Sequence, residues 1–167
     1  MIPYDAEVRR IARLVFEELY DVEIIKAYKT SDTSRDTTTS PTADAHLTTS
    51  LAASSNYAFR FVLFTSNVGA LEGVQFQLDG TVGITSLKAQ IQIYDDTTNA
   101  IAAFGRITAF NSAVGVALSA GSNCSFIEGS IETSTAGTFA LEWAQQVSGG
   151  NATTLQRNSY LAITKIS

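Results

Sequence analysis

The feature that most constrains this chain is a period of two. In "VQFQLDG", Val74, Phe76 and Leu78 alternate with Gln75, Gln77 and Asp79. In "LKAQIQIYDD", Leu87, Ala89, Ile91 and Ile93 share one face. Neighbouring side chains on a strand point to opposite sides of the sheet, so this alternation describes strands with one buried face and one wet face. "YAFRFVLF" places Tyr57, Phe59, Phe61 and Leu63 on one face, but its other face carries Val62 and Phe64 beside Arg60. That second face is only partly polar.

Further strand candidates are "VEIIKAYK", "HLTTSL", "IAAFGRITAF", "AVGVAL", "CSFIEGSIE", "GTFALEWAQQV" and "SYLAITKI", punctuated by Gly, Asn, Asp, Ser and Thr. The count is about ten short strands in about 145 residues, the spacing of an antiparallel sandwich of the jelly-roll kind. No long helical pattern interrupts them, which argues against parallel βαβ units. The stretch from Thr30 to Ala45 reads as a long polar loop, or one broken by a short edge strand. The expected fold class is therefore mainly β, a jelly-roll sandwich of about 8–10 strands.

The first residues read differently. Pro3 suits a first helical turn, and Asp5 and Glu7 suit its positive end. Val8, Ala12, Val15 and Leu19 recur at spacings of four and three, and Ile11 widens the stripe. This predicts one N-terminal α-helix, roughly 25 Å long and marginal alone in water. Two segments are expected: residues 1–21 as an anchoring or trimerising arm, and 22–167 as the sandwich. Val8, Ile11, Ala12, Val15 and Leu19 are the candidate docking residues of the arm.

Hydrophobic residues make up 45% of the chain and charged residues 16%, so much of the surface must be Ser, Thr, Asn, Gln and Gly. The formal net charge of -5 argues against wrapping nucleic acid, which needs clustered Lys and Arg. Cys124 is the single cysteine and forms no internal disulfide. Its place in an apolar strand predicts core packing. No apolar run is long enough to span a bilayer, and the N-terminus does not read as a secretory signal. The expectation is a protein that assembles in a cytoplasm, with no membrane and no nucleic-acid partner.

Catalytic equipment is sparse. His46 is the one histidine, and no G-x-S-x-G motif exists for it to activate. Asp95 and Asp96 in "YDDTTNA" lack calcium-loop spacing and read as a turn. Asn123-Cys124-Ser125 and Asn151-Ala152-Thr153 match the glycosylation triplet, a pattern that chance supplies often in such a chain. No cofactor or metal is expected, and a non-enzymatic role follows. Trp143 is in phase with Phe139 and Leu141, so it is expected in the core.

The last two apolar runs read as a hairpin joined by a Ser/Gly/Asn/Thr loop. Both carry apolar or small residues on two faces: Ala140 and Ala144 behind Phe139, Leu141 and Trp143, and Tyr160 and Ala162 behind Leu161 and Ile163. A strand apolar on both faces is covered on both. "GTFALEWAQQVSGGNATTLQRNSYLAITKI" resembles the closing stretch of tailed-phage virion jelly-roll domains, which are similar to the trimeric tumour-necrosis-factor-like fold. The order of "KTSDTSRDTTT", "NYAFRFVLFTS" and "VQFQL" agrees, so the resemblance covers roughly Glu23 to Ile166. Asn158 stands where that pattern more often has Gly.

The resemblance implies a homotrimer with a structural or binding role in the virion. It suggests a capsid decoration (cement) protein touching the major capsid protein. The alternative is a head-fibre or tail-associated module that recognises a host glycan or protein. Candidate trimer-interface residues are Phe64, Ala140, Ala144, Tyr160 and Ala162. Candidate binding loops carry Asp95, Asp96, Asn99 and Asn151.

Overall fold

The structure is a computed structural model that describes residues 24–69 and 71–167. Twelve strands occur in the order β1 (Ile24–Tyr28), β2 (Thr33–Arg35), β3 (Thr42–Leu51), β4 (Asn56–Asn67), β5 (Val74–Asp79), β6 (Gly83–Asp95), β7 (Ala100–Ile107), β8 (Val114–Val116), β9 (Gly121–Thr135), β10 (Gly137–Ala144), β11 (Thr153–Leu155) and β12 (Tyr160–Lys165). They form two antiparallel sheets. The larger runs β1-β12-β4-β9-β6-β7, with β11 pairing β4 past the start of β12 and carrying β2. The smaller runs β3-β10-β5-β8. The chain crosses between layers from β3 to β4, β4 to β5 and β9 to β10, the alternation that defines a jelly roll. No helix occurs among the described residues; the helix expected over the first 21 residues, with Val8, Ile11, Ala12, Val15 and Leu19, lies outside them.

The period of two places the core. Tyr57, Phe59, Phe61 and Leu63 of β4, Ile91 and Ile93 of β6, Ile127 and Ile131 of β9, and Leu161 and Ile163 of β12 face Leu47, Phe76, Leu78, Phe139, Leu141 and Trp143 of the other sheet. Phe139 is the aromatic centre, with ring centroids 5.0 Å from Phe59, 5.9 Å from Phe61 and 6.3 Å from Phe110. Trp143 is fully buried, as its phase requires.

Three expectations need correction. The last two long strands are not a hairpin: β10 belongs to the smaller sheet and β12 to the larger. Leu141 and Leu161 therefore line opposite walls of the core instead of lying side by side, and the intervening loop is an interlayer crossing. That crossing contains β11, whose three residues are too few for periodicity to reveal. The polar stretch from Thr30 is broken by the short edge strand β2, one of its two expected readings, but β3 begins at Thr42, ahead of the apolar alternation. Polar edge strands of this kind carry no hydrophobic signature.

Asn158 has φ 69°, so the site where Gly is usual does need a left-handed residue, and Asn tolerates that conformation better than most. Its backbone N–H donates to the Lys29 carbonyl at 2.9 Å. The register also defines two ends. Ile24, Thr164, Ala58 and Ser130 lie across from one another near the lower end, where Asn56 N–H donates to the Ser167 carbonyl at 2.7 Å. Asn67, Thr153, Gly121, Asn123 and Asp95 mark the upper end.

Candidate functional site: the outer face of the larger sheet

The outward positions of the larger sheet form rows that follow from pairing alone. Tyr28, Tyr160, Val62, Phe126, Gln92 and Phe104 are successive cross-strand partners from β1 to β7. The next row upward is Phe64, Cys124, Tyr94 and Ile101. Cross-strand aromatic and β-branched pairs are the units that hold a sheet surface together. Tyr94 and Phe126 meet edge-to-face at 5.8 Å, and the Arg60 guanidinium lies 5.2 Å from the Phe126 ring centre. Much of this surface is open: Tyr28 is 64% exposed, Phe104 59%, Ile101 51% and Tyr160 40%. Val62, in the middle, is only 7% exposed.

Below the aromatic rows lies a charged one: Lys26, Ala162, Arg60, Glu128, Gln90 and Arg106. Arg60 Nε is 3.9 Å from Glu128 Oε2, and both side chains are about half exposed. Gln90 Nε2 donates to Glu128 Oε1 at 2.8 Å. Lys88, Gln90, Arg106, Thr108 and Glu128 line a groove of about 720 Å³ along Gly129.

The smaller sheet presents a different exterior. Gln77 Nε2 donates to Glu142 Oε2 at 2.7 Å and to Asn111 Oδ1 at 3.0 Å, and the Thr81 and Thr138 hydroxyls are 3.0 Å apart. Ala140 and Ala144 lie on this side, 5% and 0% exposed, so the chain already covers them. The segment after β2 helps to do so: Gln145 N–H donates to the Thr38 carbonyl at 3.0 Å beside the end of β10. The candidate interface residues thus separate. Phe64, Tyr160 and Ala162 share the outer face of the larger sheet, and Ala140 and Ala144 sit on the opposite side of the sandwich.

Cys124, expected in the core, lies half-buried on the outer face between Phe64 and Tyr94. Its parity on β9 is that of Phe126, not Ile127, which is why a generic apolar reading misplaced it. Burial pushes its thiol above the usual value.

The candidate loops all gather at the upper end. Asp95 is 7% exposed and fully engaged: Oδ1 accepts from Thr97 N–H at 3.0 Å and Thr98 N–H at 3.4 Å, and Oδ2 accepts from the Ser119 hydroxyl at 2.7 Å and its N–H at 3.1 Å. The Ser119 hydroxyl is the main reason its carboxyl is held below the usual range. Asp96 and Asn99 are exposed in the same turn, Asn99 with φ 51°. Asn151 donates through Nδ2 to Glu72 Oε1 at 2.9 Å. The Glu72 backbone carbonyl accepts from Gln146 and Val147 N–H at 3.0 and 2.9 Å. Glu72 therefore ties the β4–β5 loop to the β10–β11 loop, and Asn151 is the first cause of its lowered carboxyl value. Glu72 was not singled out from sequence, where a lone Glu between "AL" and "GV" carries no pattern.

Among the described residues no group of three or more His, Cys, Asp or Glu could hold a metal ion, and no helix is long and apolar enough to cross a membrane.

These features define an all-β, two-sheet jelly-roll protein whose surface chemistry concentrates on one sheet face. No protein-family model matches the sequence, and comparison with curated proteins gives no match. Among solved structures, the chain is similar to the Eiger TNF of S. frugiperda, with 8% identity and a TM-score of 0.47 over 87% of this chain and 93% of that one. It is also similar to the infectious bursal disease virus VP2 subviral particle protein, with 13% identity and a TM-score of 0.24 over 86% of this chain and 39% of that one. A third is the C-terminal CBM6 of LamC from Zobellia galactanivorans, with 15% identity and a TM-score of 0.22 over 85% and 99%.

Proposed function

We propose that this chain is a virion structural protein that forms a homotrimer through the outer face of its larger sheet and decorates a capsid. The observation that carries the reading is the apolar row from Tyr28 to Phe104, open on one sheet and matched by a polar exterior on the other. An exposed aromatic surface of this extent beside a charged row is the anatomy of a protein contact, with an apolar centre and a polar rim. Contacts between unlike patches close into rings when the rotation allows, and three copies would cover all three faces.

β1 begins at the lower end with Ile24, and residues 1–23 precede it in sequence. In this reading their apolar seam, Val8, Ile11, Ala12, Val15 and Leu19, seats the trimer on the major capsid protein. A trimer gripping several capsid subunits binds the assembled lattice and not the free subunits, so it stabilises assembly by mass action. The test is co-sedimentation of the purified protein with empty capsids of its source virus. Trimer binding that is lost on deletion of residues 1–20 supports the proposal. Absence of binding to capsids refutes the decoration role.

A second reading draws on the upper end. Val68, Leu71 and Val147 are 71%, 72% and 49% exposed on loops that Glu72 ties together, opposite the end where β1 begins. The two loops contain no aromatic residue to stack on a sugar. That favours a protein over a glycan as the target of a host-recognition module. Leu71→Asp and Val147→Asp would abolish host-cell binding in this reading and leave capsid binding intact.

A further inference from the structure

Among the described residues, Lys29 is the one fully buried cation. Lys29 follows β1 and keeps the parity of Ala27, so its side chain enters the protein and is 0% exposed. Its backbone is fixed on both sides, N–H donating to the Ser159 carbonyl at 2.8 Å and carbonyl accepting from Asn158 N–H at 2.9 Å. Nζ donates to Asp44 Oδ2 at 2.6 Å and to Thr33 Oγ1 at 2.7 Å. The Asp44 side chain is 2% exposed. It lies where β3 breaks register against β10, between the Ala43 and Thr48 pairings. Such irregularities re-aim side chains, and this one turns a carboxylate inward.

We propose that Lys29 and Asp44 condense to an isopeptide bond. Nζ attacks Cγ of Asp44, the Cγ–Oδ2 bond breaks, and Oδ2 leaves as water with two of the ammonium protons. An ammonium and a carboxylate thereby become a neutral amide and one water, so atoms and charge balance with no other reactant. Oδ1 becomes the amide oxygen. It already accepts from His46 N–H at 3.0 Å, a donor placed to stabilise negative charge as the carbonyl carbon is attacked. His46 Nδ1 is 3.6 Å from Oδ1, and its ring is 35% exposed, so it can relay the proton between the pair and solvent.

Two physical arguments favour the product. A buried ammonium has three N–H groups to satisfy and Nζ has two acceptors here, whereas the amide has one N–H. Removing two charges from a dry interior also relieves the desolvation cost that a buried ion pair retains. The held geometry supplies the effective concentration that an amine and a carboxylate lack in water. The bond would staple β1 of the larger sheet to β3 of the smaller. In a protein with no disulfide it would keep the N-terminal strand from being stripped by load on residues 1–23.

The test uses the full-length protein. Intact mass spectrometry should give the sequence mass less one water, and a protease digest should give one branched peptide joining Lys29 to Asp44. Asp44→Ala should restore the full mass, and His46→Ala should slow the loss of water. A wild-type mass equal to the sequence sum, with the Lys29 amine open to acylation after denaturation, overturns the proposal. The oligomeric state does not enter this measurement, so it stands or falls apart from the trimer.

Discussion

Val62 of β4 and Phe126 of β9 are directly opposite one another at the centre of the larger sheet's outer face. Val62 is almost covered by its own neighbours, whereas the row to either side ends in exposed Tyr28 and Phe104. In the proposed trimer this surface is half of a core that a second copy would finish.

Phe126→Asp is the direct test of that surface. It removes the ring that meets Tyr94 and Arg60 and puts a charge in the apolar row. Central aromatic anchors contribute about 2 kcal/mol or more to an interface, so trimer affinity should fall at least about 30-fold. Light scattering across a dilution series checks it, and circular dichroism should keep the same sheet signal because the side chain points away from the core. An unchanged trimer places the contact elsewhere.

Cys124 supplies an internal reporter. Burial raises its thiol value, which lowers the reactive thiolate fraction, and the proposed interface would shield it further. Labelling by a thiol reagent should be slow in the trimer and faster in the Phe126→Asp variant under native conditions. Equal rates in the two proteins would mean that the face is open in both.

The upper end should loosen in acid. Glu72 and Asp95 both have folded-state values below their ordinary 4.5 and 3.8. A carboxyl lowered in this way adds stability that is complete above its unfolded value and is lost as the pH falls through the folded one. Hydrogen exchange of residues 68–73 and 145–152 should therefore rise as the pH drops below the carboxylate range, once intrinsic rates are corrected. Glu72→Gln should show the same loosening at neutral pH. Protection that stays constant through acid titration would show that Asn151 and the backbone carbonyl suffice.

Inside the sandwich, Phe139→Ala should destabilise by about 3–5 kcal/mol, because the ring fills the junction of Phe59, Phe61 and Phe110. Gly129→Ala should also destabilise, by about 1–3 kcal/mol, since a Cβ there would strike the Lys88 carbonyl and the Cα of Ala89 at 2.6 Å. Chemical denaturation measures both, and a neutral Gly129→Ala would mean that β6 and β9 yield more than their register suggests.

How much of this was legible follows from which signals have a period. Alternation revealed the inward faces of β4, β5 and β6 and the burial of Trp143, because each is a parity statement along one strand. It also showed Val62, Phe64 and Tyr160 as apolar on the outward side. It could not show that these share a face while Ala140 and Ala144 do not, since that depends on which sheet each strand joins. The interlayer crossing from β10 to β12 is a tertiary choice, and two strands joined by a polar loop read as a hairpin. β2 and β11 are three residues each, below any periodic signal. Lys29 shares its parity with Glu23 and Ala27, so alternation did not mark it as inward, and its partner Asp44 sits in a register break that alternation cannot anticipate.

The most direct measurement is sedimentation of the full-length protein at micromolar concentration, with Phe126→Asp run beside it. The account predicts wild-type particles of three times the 17.8 kDa chain and a variant shifted to the single chain. A wild-type protein that sediments as one folded chain, with Tyr28, Phe104 and Ile101 facing water, would contradict it.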